Sequence, residues 1–221
     1  MNDLDKIDFY PVVFKPNIGG SGSTDVFIVQ NSDELILLSK YILTIYPSFI
    51  AQEYIGTKDN EFTVGILISM DGEVINSIAV KRMIMCGLSN KIKVENRTKN
   101  KKLGKYLAIS TGITQGEIGR FPEVTRQCED IALKMGCRSA VNIQCRLVDG
   151  KVYVFEINPR FSGTTSFRAM VGYNEPDILI RKYILNEKIE KYFDYGSGII
   201  MRGLEEKLIG NIIIKNSADL I

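Results

Sequence analysis

The sequence predicts an α+β fold built mainly from antiparallel sheets. Segments with strand character and segments with helix character are mixed along the chain, and two pairs of strand segments are joined by short turns, at Asp71-Gly72 and Asp149-Gly150. Such turns close hairpins, whose strands run antiparallel, whereas a doubly wound parallel sheet needs a helical crossover between its strands. The 221 residues, 45% of them hydrophobic and 24% charged, are enough for one sizeable domain or two packed lobes.

Eight segments have the alternating or apolar pattern of strands. In chain order they are 10–14, 26–29, 49–55, 61–69, 73–81, 142–147, 151–158 and, as a closing strand, 199–201. Three segments have the apolar spacing of helices: one that begins at Ser32 and is ended by Pro47, one at 122–135, and one from 174 to about 185. The basic segment 85–104 is expected to be a mobile loop with a strand inside it.

Composition excludes several kinds of chemistry. The chain has no histidine, which rules out Ser-His-Asp and Cys-His catalysis and histidine metal ligands. Its 28 basic and 26 acidic residues give a net charge of +2, so we expect no nucleic-acid or membrane partner. The four cysteines form no C-x-x-C pair, which favours reduced thiols in a cytoplasmic protein. Any catalysis must come from carboxylates, amides, lysine, arginine and the backbone.

A glycine-rich segment follows the first predicted strand, in the string KPNIGGSGST from Lys15 to Thr24. Closely spaced glycines let backbone N–H groups approach phosphate oxygens, and the preceding lysine adds positive charge. The segment is not a Walker A motif, because the lysine precedes the loop. It is not a Rossmann fingerprint either, because a strand follows it and not a helix. A flexible turn between two strands is the alternative interpretation.

Two acids, Glu53 and Glu61, flank a polar link between apolar strands in the string FIAQEYIGTKDNEFTVGI. A linker backbone between apolar walls can present the donor and acceptor edge that adenine needs. A carboxylate can accept hydrogen bonds from the hydroxyls of a ribose. The alternative is a pair of solvated acids at strand ends.

The string NIQCRLVDGKVYVFEINPRFSG carries the strongest indication of a site. Alternation along its second strand predicts two faces. The polar face is Val152, Val154, Glu156 and Asn158, and the core face is Tyr153, Phe155 and Ile157. A two-residue turn would place Gln144 opposite Phe155, on the core face. We therefore predict a three-residue loop that ends at Gly150 and places Gln144 opposite Val154 and beside Glu156.

The three polar side chains of this hairpin, Gln144, Glu156 and Asn158, supply only oxygen donors, which suit Mg²⁺ or Mn²⁺. The alternative is the polar outer face of an ordinary hairpin. That alternative is disfavoured because an acid between two apolar strands is costly to bury without a metal ion or a partner.

Taken together, the three strings resemble the motifs of ATP-grasp enzymes, most closely those of carbamoyl-phosphate-synthase-like members. The similarity covers roughly residues 10–190, and the motifs follow one another in the family's order. It implies an ATP-grasp fold in which two lobes with mainly antiparallel sheets enclose ATP. The lobes would be residues 1–56 and 57–203, with a C-terminal tail at 204–221.

The resemblance also implies roles for individual residues. The nucleotide phosphates would contact Lys15, Gly20, Ser21, Gly22 and Ser23. Glu53 would lie near the adenine amino group, Tyr54 and Ile55 would supply the backbone edge, and Glu61 would bind ribose. The metal ligands would be Gln144, Glu156 and Asn158. Arg160 would face the transferred phosphoryl group, where a guanidinium stabilises negative charge, so Arg160 and Lys15 are the residues assigned to catalysis.

Three further features are open to two interpretations each. By the resemblance, Lys81 or Arg82 lies near the triphosphate, and Arg82 is the candidate phosphate contact; a solvated strand end is the alternative. The positive stretch at 91–105 either closes over an anionic substrate or is a solvated loop. The segment 161–169 is a candidate wall of the acceptor pocket, with Arg168 as a candidate carboxylate ligand.

The activity that the resemblance implies is that of a carbon–nitrogen ligase. ATP and Mg²⁺ or Mn²⁺ would convert a small-molecule carboxylate to an acyl phosphate, which an amine would attack. Two alternatives remain: a nucleotide-binding module without independent catalysis, and an ATP-grasp phosphotransferase. Family members carry a further N-terminal α/β domain before the glycine loop, so we expect a missing domain or a partner subunit. The sequence leaves the substrates and the oligomeric state open.

Overall fold

The structure is a computed structural model that describes residues 4–18, 23–84 and 87–204. Within these ranges it contains eleven strands and four α-helices. The strands are β1 (Val12–Pro16), β2 (Phe27–Val29), β3 (Phe49–Glu53), β4 (Glu61–Ile68), β5 (Val74–Arg82), β6 (Asn90–Glu95), β7 (Tyr106–Ser110), β8 (Gly116–Gly119), β9 (Ser139–Val148), β10 (Lys151–Asn158) and β11 (Gly198–Ile200). The helices are α1 (Ser32–Ile42), α2 (Pro122–Lys134), α3 (Thr165–Met170) and α4 (Glu175–Tyr183).

The strands form three sheets, and the neighbouring strands pair antiparallel. The strand order is β2-β1-β3 in the first sheet, β10-β9-β4-β5-β8-β11 in the six-stranded sheet, and β6-β7 in the third. The predicted α+β class with antiparallel sheets is therefore confirmed. β10 is an edge strand of the six-stranded sheet, so one side of its backbone is free to meet other parts of the chain.

The three-stranded sheet packs one face against α1. Val12 and Phe14 of β1 point into this core and meet Leu35 and Ile42 of the helix. Because side chains alternate along a strand, Lys15 belongs to the opposite face, which turns towards a cleft beside the six-stranded sheet. Because of this alternation, the Lys15 side chain points into the cleft.

The six-stranded sheet carries an apolar core on each face. Helix α2 covers one face, in a cluster that includes Phe62, Val64, Ile66, Val124, Cys128, Ile143 and Cys145. The segment from α3 to α4 covers part of the other face, in a cluster that includes Leu67, Ile78, Val80, Phe167, Tyr173 and Ile178. On that second face the polar residues of β4 and β9 continue beyond the apolar cluster and line the cleft, among them Glu61, Gln144 and Arg146.

Several predicted boundaries shift. The start of α1 at Ser32 is as predicted, but its cap is Asn31, which accepts a hydrogen bond from the Glu34 backbone N–H at 2.9 Å. The helix ends at Ile42, before Pro47, because the chain turns there through short-range backbone bonds. The prediction missed β7, β8 and α3, which are short and lie in segments rich in glycine, threonine and lysine. β8 pairs with β5 and β11, which are distant in sequence, and β7 pairs with β6 across an irregular polar connection, so local pattern carried little information about these strands.

No described helix is both long enough and apolar enough to cross a membrane. Cys128 and Cys145 are free thiols in the core beneath α2, with their Sγ atoms 3.9 Å apart, and Cys137 is also free. Cys86 and all of the predicted C-terminal tail except Leu204 lie outside the described residues.

Candidate functional site

A cavity of about 770 Å³ lies in the cleft and is lined by residues of β1, β3, β7, β9 and β10. Its size is within the range of small-molecule sites in proteins. Ten of the predicted site residues line it: Lys15, Ser23, Glu53, Tyr54, Ile55, Glu61, Gln144, Glu156, Asn158 and Arg160. The remaining described one, Arg82, lies behind the cavity wall. Gly20, Ser21 and Gly22 of the glycine loop lie outside the described residues.

The hairpin of β9 and β10 has a two-residue loop, because Val148 pairs directly with Lys151. The predicted three-residue loop is therefore wrong. Asp149 and Gly150 both have positive φ, 49° and 73°, as the two central residues of a type I′ turn do. This turn matches the natural twist of a hairpin, which is why the Asp-Gly pair closes it without an extra residue.

A bulge at Phe155 brings Gln144 and Glu156 together. Cys145 pairs with Val154 and Gln144 pairs with Glu156, so Phe155 has no partner on β9. The extra residue reverses the alternation of β10. The extra residue that brings Gln144 and Glu156 to the same face therefore lies inside β10 and not in the loop.

The bulge also corrects the predicted faces of β10. Val152 and Val154, predicted on the polar face, pack in the core beneath α2 together with Ile157. Tyr153 and Phe155, predicted on the core side, line the cavity. The predicted face is right for the three residues beyond the bulge, Glu156, Ile157 and Asn158, because the reversal restores their phase.

The oxygen donors of the hairpin lie at the cavity wall. The Asn158 amide donates to Glu156 Oε1 at 2.7 Å, and Gln144 Oε1 accepts from Arg82 at 3.3 Å. Among the described residues, no group of three or more histidine, cysteine, aspartate or glutamate side chains could hold a metal ion. One carboxylate and two amides fit Mg²⁺ or Mn²⁺ best where a ligand contributes anionic oxygens as well, as nucleotide phosphates do.

Lys15 faces this donor set from the other sheet. Its ammonium donates to Gln52 Oε1 and to the carbonyl oxygen of Phe155, each at 3.0 Å. Burial lowers the pKa of Lys15, and the nearby Glu156 carboxylate partly offsets that effect. The Lys15 amino group therefore lies beside the bulge that carries the predicted metal ligand Glu156.

A buried ion network forms the floor of the cavity around Glu61, whose side chain is 2% exposed. Glu61 Oε1 accepts from Arg82 at 3.1 Å and from the Ser110 hydroxyl at 2.6 Å. Its Oε2 accepts from Arg146 at 3.2 Å. Both oxygens are thus bound by the chain's own groups, and two guanidinium ions share one carboxylate. The resulting excess of positive charge favours an anionic ligand above it.

Arg82 is buried within this network and does not line the cavity. One of its terminal nitrogens contacts Glu61, Ser110 and Gln144, and the other donates to the carbonyls of Thr111 and Ile113. Burial lowers its pKa, an effect that the Glu61 carboxylate opposes. Arg82 thus contacts the predicted metal ligand Gln144 and the carboxylate of Glu61. It lies behind the cavity surface that a phosphate would reach.

The connection between β3 and β4 forms the end of the cavity predicted for adenine. The Tyr54 side chain is buried, and its hydroxyl exchanges hydrogen bonds with the backbone of Ala108 at 3.1 and 2.9 Å. Arg146 lies over the Tyr54 ring, 4.4 Å from its centroid, and donates to the Ile55 carbonyl at 3.1 Å. Glu53 is exposed at the cavity edge. One arginine therefore ties the connection to the ion network.

The segment after β10 differs in part from its prediction. Arg160 is exposed at the cavity, and its guanidinium donates to the Phe161 carbonyl at 2.8 Å. Arg168 is 1% exposed and pairs with Glu175 at 2.8 Å and with Asn142 at 2.7 Å. Its guanidinium lies so close to Gly65 that a Cβ there would overlap it. As a ligand for a substrate carboxylate, Arg168 was predicted wrongly, since an internal carboxylate already occupies it.

Three residues of the site were missed by sequence reasoning. Arg146 follows Gln144 with the period of a strand, so its face was visible in the sequence but its role was not. Ser110 reaches Glu61 only because the β6–β7 hairpin packs beside the cleft, which no local pattern indicates. Gln52 carries no signal beyond its position next to Glu53.

The sequence and fold of this chain are similar to those of known proteins. Residues 46–206 match the family model described as "ATP-grasp in the biosynthetic pathway with Ter operon". The arginine-specific large chain of carbamoyl phosphate synthase from Geobacillus stearothermophilus is 26% identical over 157 residues, which is 70% of this chain and 13% of that protein. The chain therefore spans a small part of the length of this curated relative.

Two solved structures share the fold. The ADP complex of an N5-carboxyaminoimidazole ribonucleotide synthetase superposes with a TM-score of 0.58 at 14% identity, covering 89% of this chain and 46% of that one. D-alanine–D-alanine ligase from Bacillus anthracis superposes with a TM-score of 0.51 at 23% identity, covering 84% and 57%. With the family match over most of its length, this chain belongs to the ATP-grasp family.

Proposed function

We propose that this chain is the nucleotide-binding part of an ATP-dependent ligase that activates a carboxylate as an acyl phosphate for attack by an amine. Its nucleotide would be ATP and its metal ion Mg²⁺ or Mn²⁺. Two lines of support converge: the membership of the family, and the partial identity with a carbamoyl phosphate synthase large chain. The division into lobes at 1–56 and 57–203 belongs to the same proposal.

One observation carries the proposal. Across a single cavity, the ammonium of Lys15 lies 3.0 Å from the carbonyl of the bulged residue Phe155, and the bulge is what sets Glu156 opposite Gln144. A positive charge and a set of oxygen donors thus face each other. This is the arrangement that a polyphosphate bridged by a divalent cation requires.

The residues divide by the part of the nucleotide that each would contact. We assign Lys15 and the glycine loop, including Ser23, to the phosphates. Glu53, Tyr54 and Ile55 are assigned to the adenine end, and Glu61 to the ribose, which would donate its hydroxyl bonds to a carboxylate that Arg146 and Arg82 already orient. Gln144, Glu156 and Asn158 are assigned to the metal ion.

The chemistry that these residues support is transfer of the γ-phosphoryl group. A bound divalent cation would supply charge neutralisation between the phosphates. Lys15 and Arg160, which both line the cavity, would supply positive charge to the transferred group and stabilise the negative charge that develops there. Positioning and electrostatics suffice for this step, so the absence of histidine from the sequence is no obstacle.

The substrates of the ligase would be two small molecules. We propose small-molecule carboxylate and amine substrates, with a further domain or partner subunit completing the acceptor side. Support comes from the small share of the relative, 13%, that the chain spans. Arg168, a candidate ligand for the substrate carboxylate by sequence, pairs with Glu175 inside the chain.

The test is product release with a panel of carboxylates and amines. Phosphate and ADP release that requires Mg²⁺, a carboxylate and an amine together supports the ligase. A phosphorylated product that accumulates without any amine favours a phosphotransferase. Nucleotide binding with no turnover under any combination favours a binding module without independent catalysis.

A further inference from the structure

Two consecutive backbone carbonyls of β10 accept hydrogen bonds from the other sheet. Gln52 Nε2 donates to the Val154 carbonyl at 3.3 Å, and Lys15 Nζ donates to the Phe155 carbonyl at 3.0 Å. Lys15 Nζ also donates to Gln52 Oε1 at 3.0 Å, so the two side chains form one unit. This unit joins the three-stranded sheet to the edge of the six-stranded sheet.

Only an irregular strand can offer this pair of acceptors. In a regular strand, successive carbonyls point to opposite sides, so one of the two would bond to β9. The bulge at Phe155 interrupts the ladder between Val154 and Glu156, which leaves both carbonyls on the free edge. The same bulge therefore fixes the predicted metal ligands and creates the docking point for Lys15.

Gln52 is placed for this contact by the register of the small sheet. Val13 of β1 pairs with Gln52 of β3, and Lys15 pairs with Ile50. Gln52 and Lys15 are thus diagonal neighbours on the cleft face, within reach of each other. The amide of Gln52 uses its oxygen for the lysine and its nitrogen for the strand, a division that neither a carboxylate nor an alkyl chain can reproduce.

We propose that Gln52 is a positioning residue that holds Lys15 in place for nucleotide phosphates and fastens the small sheet to the bulge of β10. This inference rests on the proposed function of the cavity. When a phosphate binds, it takes the place of the Phe155 carbonyl as an acceptor for Lys15. Gln52 keeps its bond to Val154, so the lysine stays oriented while its partner changes.

The test compares the affinities of ADP and adenosine by calorimetry in the full chain. Gln52→Leu removes both hydrogen bonds at similar volume and is expected to weaken ADP binding about tenfold, as loss of a hydrogen bond to a charged group does. Adenosine, which has no phosphate, is expected to bind within about twofold of the unaltered chain, because its contacts do not involve Lys15.

A double variant separates positioning from a general structural role. If Gln52 acts through Lys15, Lys15→Met combined with Gln52→Leu binds ADP no more weakly than Lys15→Met alone. Gln127→Leu is the matched control. Gln127, on α2, also uses both ends of its amide: it donates to the Gly150 carbonyl and accepts from the Val152 N–H. These contacts lie at the turn of the β9–β10 hairpin and not at the bulge. Gln127→Leu is expected to leave ADP affinity unchanged.

Gln52→Asn and Gln52→Glu guard against misfolding of the leucine variant. The asparagine is too short to reach both partners, and the glutamate cannot donate to Val154. Both are expected to weaken ADP binding while the chain still unfolds in one cooperative thermal transition. The inference alone is overturned if every Gln52 variant binds ADP as tightly as the unaltered chain does. It is also overturned if the losses of affinity add in the double variant. Absence of ADP binding by the unaltered chain overturns the proposed function as well.

Discussion

Lys15 sits where a small change in protonation has a direct effect on phosphate binding. Burial lowers its pKa below 10.5, the ordinary value for lysine. The charged form is the one that attracts phosphate, so ADP affinity is expected to fall as pH rises through this lowered pKa. The fall should begin at a lower pH than an exposed lysine would give.

Calorimetric titrations with ADP from neutral to alkaline pH check this expectation. Lys15→Arg serves as the comparison, because a guanidinium stays protonated throughout the range and should flatten the profile. A profile that is the same for lysine and arginine would contradict the assignment of Lys15 to the phosphates.

Glu156 is the one carboxylate among the three predicted metal ligands. Glu156→Gln keeps the shape and removes the negative charge, so the Mg²⁺ concentration that half-saturates nucleotide binding should rise on the order of tenfold or more. The measurement is ADP affinity as a function of Mg²⁺. Glu123→Gln, an exposed acid in the first turn of α2, is the control and should change nothing. An unaltered Mg²⁺ requirement in Glu156→Gln would count against the metal site.

At the scale of elements, the turn between β9 and β10 fixes the register of the hairpin that these two strands form. Gly150 has φ of 73°, and no atom lies within 4 Å of the position that a Cβ would take, so an alanine there meets only conformational strain. Gly150→Ala should lower the free energy of unfolding by about 1 kcal/mol. Urea denaturation measures the change. Gly112→Ala, where φ lies outside the left-handed region and space is open, should cost much less.

The hairpin also marks how far sequence reasoning reached. Alternation and the Asp149-Gly150 pair located both strands, and the need for Gln144 to meet Glu156 showed that one residue had to break the alternation. The prediction placed that residue in the loop, whereas the structure has it inside β10. The bulge falls at Phe155, an apolar residue like its neighbours, so local pattern gives no mark of it.

Two arginines also show what the assembled fold adds to the sequence. Arg82 and Arg168 were each expected to meet a ligand, and both are buried against internal carboxylates, Glu61 and Glu175. Their partners lie on other strands and helices, so only the assembled sheet shows where each guanidinium ends. The sequence identifies guanidinium groups that could bind an anion, but it does not show which of them are exposed to the cavity.

At the scale of the molecule, the cavity is lined by residues of all three sheets, so a nucleotide bound there would join them. Saturating Mg–ADP is therefore expected to raise the midpoint of thermal unfolding, with a stabilisation of about 2.7 kcal/mol at a hundredfold excess over its dissociation constant. Differential scanning calorimetry measures the shift. Adenosine should give less, because it lacks the phosphates that face Lys15, and an equal shift with both would contradict the phosphate assignment.

The fold as a whole was the easiest part to predict. The hairpin turns, and the mixture of helix and strand segments along the chain, predicted antiparallel sheets. The three motifs, spaced over most of the chain, predicted the family. These features are carried by many residues at once, so an error at one position does not alter the conclusion. The site depends on single residues and on one bulge, and there the sequence alone was insufficient.

The central claim is that one cavity binds ATP through Lys15 and through a divalent cation held by the β9–β10 hairpin. Calorimetric titration of the chain with ATP, in Mg²⁺ and in EDTA, tests it most directly. We predict one site per chain, tighter binding with Mg²⁺, and a large loss of affinity in Lys15→Met. No binding, or binding that neither EDTA nor Lys15→Met alters, would contradict it.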